Sequence, residues 1–242
     1  MTAVPLWRAS LAEAVGTGLL VTVVVGSGIA AERLSTDAGL RLLENSTATA
    51  LGLFVIIVLL APVSGAHLNP AVTLASVVLD RRRGRDAAAF VAAQTAGAIG
   101  GALLANAMFS VTPAVSRTER ADAGTVLAEV VATAGLVLLV AGLTRAAAAV
   151  PVIAAAVGAY IGAAYWFTSS TAFANPAATI GRVVSDTFAG IAPASAGAFL
   201  LAQLVGATVG ILLTMALFPR RPDAKRAHPA PGAAVRVGSG SA

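Results

Sequence analysis

Asn69-Pro70-Ala71 is a tripeptide that the chain repeats as Asn175-Pro176-Ala177, and each copy opens a mostly apolar run that a charged residue ends. Asparagine is a favoured helix N-cap, and proline suits the first helical position because its fixed φ is preorganised there. The two copies therefore predict helices over Pro70 to Leu79 and Pro176 to Ser185. At about 1.5 Å per residue, ten residues span roughly 15 Å, which is half of a hydrocarbon core of about 30 Å.

The asparagine side chains of this motif also suggest a function. As N-caps, Asn69 and Asn175 would use their carboxamide oxygens on the first N–H groups of each helix, which leaves their NH2 groups free to donate to a passing solute. A single Asn-Pro is more often an ordinary helix start on a surface loop. Two copies in matching contexts within an apolar chain instead predict two half-spanning helices that meet end to end and line a pore.

The composition independently predicts an integral membrane protein. The chain is 57% hydrophobic and 11% charged with a mean hydropathy of +0.86, whereas soluble domains carry about 25% charged residues. Apolar stretches long enough to cross a bilayer lie near residues 9–30, 46–63, 87–109, 125–143, 150–168 and 195–218. The two predicted half-helices account for the remaining apolar segments, so the fold class is an all-α membrane protein.

The basic residues predict the orientation. Most of them lie on the side of the N-terminus, including the cluster Arg81-Arg82-Arg83 with Arg85, so both termini are expected in the cytoplasm of a plasma (inner) membrane protein. The net charge of +5 then follows from this bias and does not indicate nucleic-acid binding. The chain has no cysteine, which excludes disulfides and thiol metal sites. We expect no metal and no cofactor.

The two halves of the chain match beyond the tripeptide. Ala12-Glu13 with Thr17 returns as Ala128-Glu129 with Thr133, and Gln94 returns as Gln203. These landmarks keep their order and nearly constant spacing, which indicates a duplication. Each half has three full spans, so the second half enters from the opposite side and the repeats, at about 9–109 and 125–218, are inverted.

The organisation that follows is one membrane channel domain over residues 1–218. Residues 219–242 are rich in Pro, Ala, Gly and Arg without apolar periodicity, which predicts a disordered cytoplasmic tail. Because the aligned dipoles of both half-helices place positive partial charge at their N-termini, the pore centre should repel cations and pass neutral solutes.

Two other functional classes are alternatives to a channel. Inverted repeats also occur in secondary transporters, so proton coupling through Glu13 and Glu129 is the alternative. An enzyme is disfavoured because the spans carry no nucleophile with its base, no metal-ligand cluster and no phosphate loop.

The two Asn-Pro-Ala boxes, the segment Ser64-Gly65-Ala66-His67 and the Glu13/Glu129 pair resemble the major intrinsic protein family of aquaporins and aquaglyceroporins. The resemblance implies an aquaporin-like bundle of six transmembrane helices plus two half-helices, with one pore in each subunit of a homotetramer. It also implies that Glu13 and Glu129 accept hydrogen bonds from the loops before the half-helices. His67 is expected to brace its loop, with a pH gate as the less favoured role.

The chain departs from the family pattern at the outer filter. The family usually places arginine three residues after the second asparagine, where this chain has Ala178. Matching the other filter positions by spacing points to Thr49, Ala163 and Ala172. All of these side chains are small, so a wider filter is expected, with water, glycerol-like polyols and, by likeness to a bacterial subgroup that lacks the arginine, neutral arsenite as candidate solutes.

Arg182 leaves two interpretations open. It lies four residues after Ala178, so it either sits at the pore rim and pairs with Asp186 or reaches back to replace part of the missing arginine. The aromatic residues Tyr165-Trp166-Phe167 and Phe173 either enter the pore or pack in the core.

Overall fold

A computed structural model describes residues 4–218 as eight helices joined by short loops. Six of the helices are long and apolar enough to cross a membrane, and the other two are short. The predicted fold class is thereby confirmed, whereas the predicted tail at 219–242 lies outside the described residues. The helices are α1 (Leu6–Leu34), α2 (Ala38–Ser64), α3 (Pro70–Leu79), α4 (Gly84–Met108), α5 (Ala123–Arg145), α6 (Val150–Phe167), α7 (Pro176–Arg182) and α8 (Pro193–Leu217).

The two short helices are the half-helices that the tripeptides predict. Helix α3 has the predicted bounds, but α7 ends at Arg182, three residues before the predicted Ser185. The chain leaves the helix there because other elements take its polar groups. The carbonyl of Val183 accepts from the N–H of Ser116 at 2.7 Å, and the Ser185 hydroxyl donates to Asn106 Oδ1 at 2.8 Å.

The same packing of long helices occurs in both halves, α1 against α4 and α5 against α8. Glycines make these contacts close. A Cβ added to Gly97 or Gly101 of α4 would lie 2.1 Å from a backbone oxygen of α1, and at Gly206 or Gly210 of α8 it would lie 2.5 or 2.7 Å from one of α5. Small residues in this spacing let membrane helices approach backbone to backbone.

The half-helices tie the two halves together. Helix α3 of the first half packs against α8 of the second, and α7 of the second half packs against α4 of the first. Large apolar side chains point outward from the bundle, among them Leu51, Leu127 and Leu201, which are 63%, 63% and 68% exposed. Such an exposed apolar surface suits a protein whose solvent is lipid.

Candidate pore and selectivity filter

One continuous cavity of roughly 320 Å³ runs through the bundle between the two halves. Leu79, Thr144 and Val150 line one end, and Thr49, Ala178 and Arg182 line the other. Asn69 and Asn175 lie on its wall between the two ends. The two tripeptides that are far apart in the sequence thus come together at a single conduit.

The asparagines cap their own helices and also contact the opposite half. Asn69 Oδ1 accepts from the N–H of Ala71 at 2.8 Å, and Asn175 Oδ1 accepts from the N–H of Ala177 at 3.0 Å. Each NH2 group donates across the junction, from Asn69 to the carbonyl of Ala174 at 2.7 Å and from Asn175 to that of Leu68 at 2.8 Å. The expectation that these NH2 groups are wholly free is therefore wrong, because one hydrogen of each is already used. The second hydrogen is what a solute can receive.

The loop before α3 is held by the fully buried carboxylate of Glu13. Its Oε1 accepts from the N–H of His67 at 2.9 Å and from the hydroxyl of Ser64 at 2.6 Å. Its Oε2 accepts from the N–H of Leu68 at 2.6 Å and from the amide of Gln94 at 2.7 Å. An ionised carboxylate offers about four acceptor sites, so these donors saturate it.

The loop before α7 is held by Glu129 in the same way. This carboxylate is also fully buried, and it accepts from the N–H groups of Phe173 and Ala174 at 2.9 Å. The Ser170 hydroxyl and the Gln203 amide, each at 2.6 Å, complete the set. A buried carboxylate with every acceptor site occupied suits a structural brace, and it is a poor proton carrier.

The braced loops have an unusual backbone. Non-glycine residues in both adopt positive φ, a region that costs L-residues on the order of 1–3 kcal/mol each when the surroundings do not enforce it. The φ angles are 47° and 51° at Ala66 and Leu68, and 48° and 44° at Ala172 and Ala174. The hydrogen bonds to Glu13 and Glu129 offset this strain.

His67 lies on the cavity wall with both ring nitrogens in polar contacts. Nδ1 is 3.1 Å from Thr73 Oγ1, and Nε2 is 3.4 Å from an Nη atom of Arg82. A guanidinium cannot accept a hydrogen bond, so Nε2 must be the acceptor in that contact. Such an arrangement suits a neutral imidazole that braces the loop, which remains a prediction for its role.

At the outer end, three of the four residues chosen by spacing line the cavity. These are Thr49, Ala172 and Ala178. Ala163 does not line it and is exposed on the surface of the bundle, so its placement in the filter is wrong. In the outer part of α6 the cavity is lined by Ile161 and Tyr165, one helical turn apart, and Ala163 lies midway between them on another face.

Tyr165 is the residue of α6 that lines the outer part of the cavity beside Thr49, and spacing along the chain misses it. The residue is 3% exposed, and its hydroxyl is 3.1 Å from Oγ1 of Thr49 on the neighbouring helix α2, which also lines the cavity. The aromatic run Tyr165-Trp166-Phe167 was a signal, because a helix that passes a lumen turns only some of such a run inward. Trp166 and Phe167 are 52% and 56% exposed and do not line the cavity.

Arg182 is inside the pore rather than at its rim. The residue is only 4% exposed, and its side chain lines the cavity. The guanidinium carbon is 3.3 Å from the ring centroid of Phe173. The predicted pair with Asp186 is wrong: Asp186 instead accepts from the side chain and the backbone N–H of Arg117, both at 3.0 Å. These bonds hold the pKa of Asp186 below its usual value. Because α7 ends at Arg182, Asp186 is not one helical turn further along.

Six long apolar helices, two half-helices that meet at paired asparagines and one continuous cavity define a membrane channel. The profile of the major intrinsic protein family matches residues 1–169, and the chain belongs to that family. It is 46% identical over 227 residues to the aquaglyceroporin AqpS of Rhizobium meliloti (strain 1021), across 93% of this chain and 96% of that protein.

Two further comparisons agree with this assignment. The chain is 33% identical over 256 residues to the probable aquaporin TIP5-1 of Oryza sativa subsp. japonica, across 97% of this chain and 93% of the relative. The X-ray structure of the aquaglyceroporin from Plasmodium falciparum has the same fold, with a TM-score of 0.71 at 19% identity, over 86% of this chain and 95% of that chain. The protein is therefore a multi-pass passive channel for water and small solutes, and it is not an enzyme.

Proposed function

We propose that this channel conducts water and small uncharged polyols such as glycerol, with neutral arsenite as a further candidate, through a filter that holds a displaced arginine. The filter consists of Thr49, Tyr165, Ala172, Ala178 and Arg182. The observation that carries the proposal is the guanidinium of Arg182, which lies against Phe173 on the filter loop and borders the cavity. The similarity to a protein named as an aquaglyceroporin supports glycerol-like solutes.

The chemistry of this filter favours solutes with several hydroxyl groups. The guanidinium supplies only donors, and the hydroxyls of Thr49 and Tyr165 supply donors and acceptors. Ala172 and Ala178 leave room on the facing walls, because neither side chain extends beyond Cβ. A polyol can therefore exchange water for wall contacts at this level without passing a large side chain at position 178.

Exclusion of ions is proposed to arise at the asparagine pair and at Arg182. Both half-helices direct their N-termini to the junction, so their dipoles oppose cations there, and the guanidinium adds a full positive charge further out. Glu13 and Glu129 are saturated by loop donors, so neither has an acceptor site left for a proton on the conduction path.

We further propose that the channel lies in the bilayer of a plasma membrane as a homotetramer with both termini in the cytoplasm. The arginines at 81, 82, 83 and 85 support this orientation, because they lie in the loop after α3 and in the first turn of α4, on the face where α1 begins. The exposed apolar side chains of the bundle support a surface that is covered by lipid and by neighbouring subunits.

Stopped-flow light scattering on proteoliposomes tests the proposed solutes directly. Water, glycerol, urea and neutral arsenite are compared at equal protein density, with empty liposomes as the control. Glycerol flux should exceed that of empty liposomes, rise linearly with its gradient and ignore an imposed proton gradient. Saturating or proton-driven flux would contradict the proposal, as would single-channel currents in NaCl or KCl in voltage-clamped bilayers.

A further inference from the structure

A second cavity, separate from the pore, lies at the membrane face where α1 begins. It holds roughly 310 Å³ and is formed by the start of α1, the end of α2 and the start of α4. Two of its lining residues are arginines, Arg82 and Arg85, and the carboxylate of Asp86 is also on its wall. None of its lining residues lines the pore.

The charges of this cavity are suited to an anion. Arg85 Nε is 3.3 Å from Asp86 Oδ1, an exposed pair of the kind that contributes little energy, so the guanidinium is available to another anion. Arg82 is half-buried, with its guanidinium carbon 4.5 Å from the ring centroid of Phe90, which fixes the direction of the side chain. Helix α1 starts at the same place, and its N-cap residue Pro5 provides no side-chain hydrogen bond to the first N–H groups.

The position of the cavity indicates where the anion comes from. Val4, Leu6 and Val63 line the cavity beside the arginines, and they are 43%, 39% and 37% exposed. Three helices that cross the membrane have their ends here, so the cavity lies at the level where headgroups meet acyl chains. A phospholipid presents its phosphate at this level, with its acyl chains beside these apolar residues, whereas a free phosphate ion is not confined to the bilayer surface.

We infer that this cavity binds the phosphate of an anionic phospholipid, with Arg82 and Arg85 as the residues that hold it. The site also has a physical link to the pore, because the Arg82 guanidinium that faces the lipid contacts Nε2 of His67 on the pore wall.

The chain contains a matched control for this site. Arg81 and Arg83 are in the same short segment, are exposed, and do not line the cavity. The double variants Arg82→Gln/Arg85→Gln and Arg81→Gln/Arg83→Gln therefore lose the same charge from the same segment. The single variant Arg85→Gln is added because this side chain is 75% exposed, so its loss should not disturb folding.

Native mass spectrometry of the detergent-purified full chain then measures retention of phosphatidylglycerol against phosphatidylcholine. We expect affinity for phosphatidylglycerol to fall roughly fivefold for each cavity arginine removed, and to fall less than about twofold in the Arg81→Gln/Arg83→Gln control. Equal losses in the two double variants, or unchanged retention in Arg85→Gln, would overturn the site. Displacement of the lipid by an equal concentration of inorganic phosphate would overturn the assignment to a lipid.

Discussion

The two halves of the channel have the same arrangement of loop and long helix, but they place an arginine side chain differently relative to the pore. Each loop has a ring edge-on to a phenylalanine of the following long helix, His67 to Phe90 at 5.5 Å and Phe173 to Phe199 at 5.2 Å. Each half adds an arginine to this pair. Arg82 lies over Phe90 and outside the pore lining, whereas Arg182 lies over Phe173 and lines the pore.

The residues that brace the loops are the same in both halves, whereas the residues near the two ends of the pore differ between the halves. The carboxylates, serines and glutamines of the loop braces match in both halves, because each loop has the same strained backbone to stabilise. The halves differ in the loop ring and its arginine, which are His67 with Arg82 in the first half and Phe173 with Arg182 in the second. Selectivity is accordingly expected to depend on the second half more than on the first.

The largest effect is expected from removing a brace. Glu13→Ala and Glu129→Ala each leave several buried donors without a partner, at about 1–3 kcal/mol apiece. Both variants should lose most of their folded, monodisperse yield on size-exclusion chromatography, and to a similar extent if the halves are equivalent. A well-folded Glu13→Ala protein whose flux changed its dependence on a proton gradient would instead support the transporter alternative.

The next largest effect is expected from Ala178→Arg, which adds a second guanidinium to the proposed filter beside that of Arg182. Lumen width at this level falls, so glycerol flux should drop severalfold while water flux falls less. Stopped-flow ratios of glycerol to water on proteoliposomes measure this. An unchanged ratio in folded protein would show that position 178 is not part of the filter.

Arg182→Ala should act in the opposite direction and somewhat more weakly. Removing the guanidinium widens the filter beside Phe173, so the ratio of glycerol to water flux should rise. Arg117→Ala is the matched control, because this arginine also belongs to the outer loops but is 89% exposed and pairs with Asp186. If both variants raised the ratio equally, the cause would be a general loss of positive charge at the outer face, and the proposed role of Arg182 in the filter would be wrong.

The smallest effect is expected from Tyr165→Phe, which removes one hydroxyl from the cavity wall and its contact with Thr49. The lost hydrogen bond is worth about 0.5–1.5 kcal/mol, and glycerol flux should fall modestly because one polar partner is gone. Ala163→Leu is the comparison, since Ala163 faces outward and its enlargement should leave flux unchanged. A strong effect of Ala163→Leu with none of Tyr165→Phe would restore the filter that spacing alone predicts.

The sequence by itself determined the membrane class, the six spans, the duplication and the first half-helix from Pro70 to Leu79. These features depend on local properties. Hydropathy over about twenty residues, an asparagine cap and a proline at the first helical position act within one segment. They are therefore visible without knowledge of what that segment packs against.

Only the tertiary structure decided the end of α7, the partner of Asp186 and which residue of α6 lines the outer part of the cavity. Each depends on residues far apart in the sequence: Ser185 bonds to Asn106, Asp186 to Arg117, and Tyr165 lies against Thr49. Spacing counted along the chain predicts such positions only while the helix continues and keeps its register. Because α7 ends at Arg182, the positions of Ser185 and Asp186 depend on their contacts with other segments and not on helical spacing.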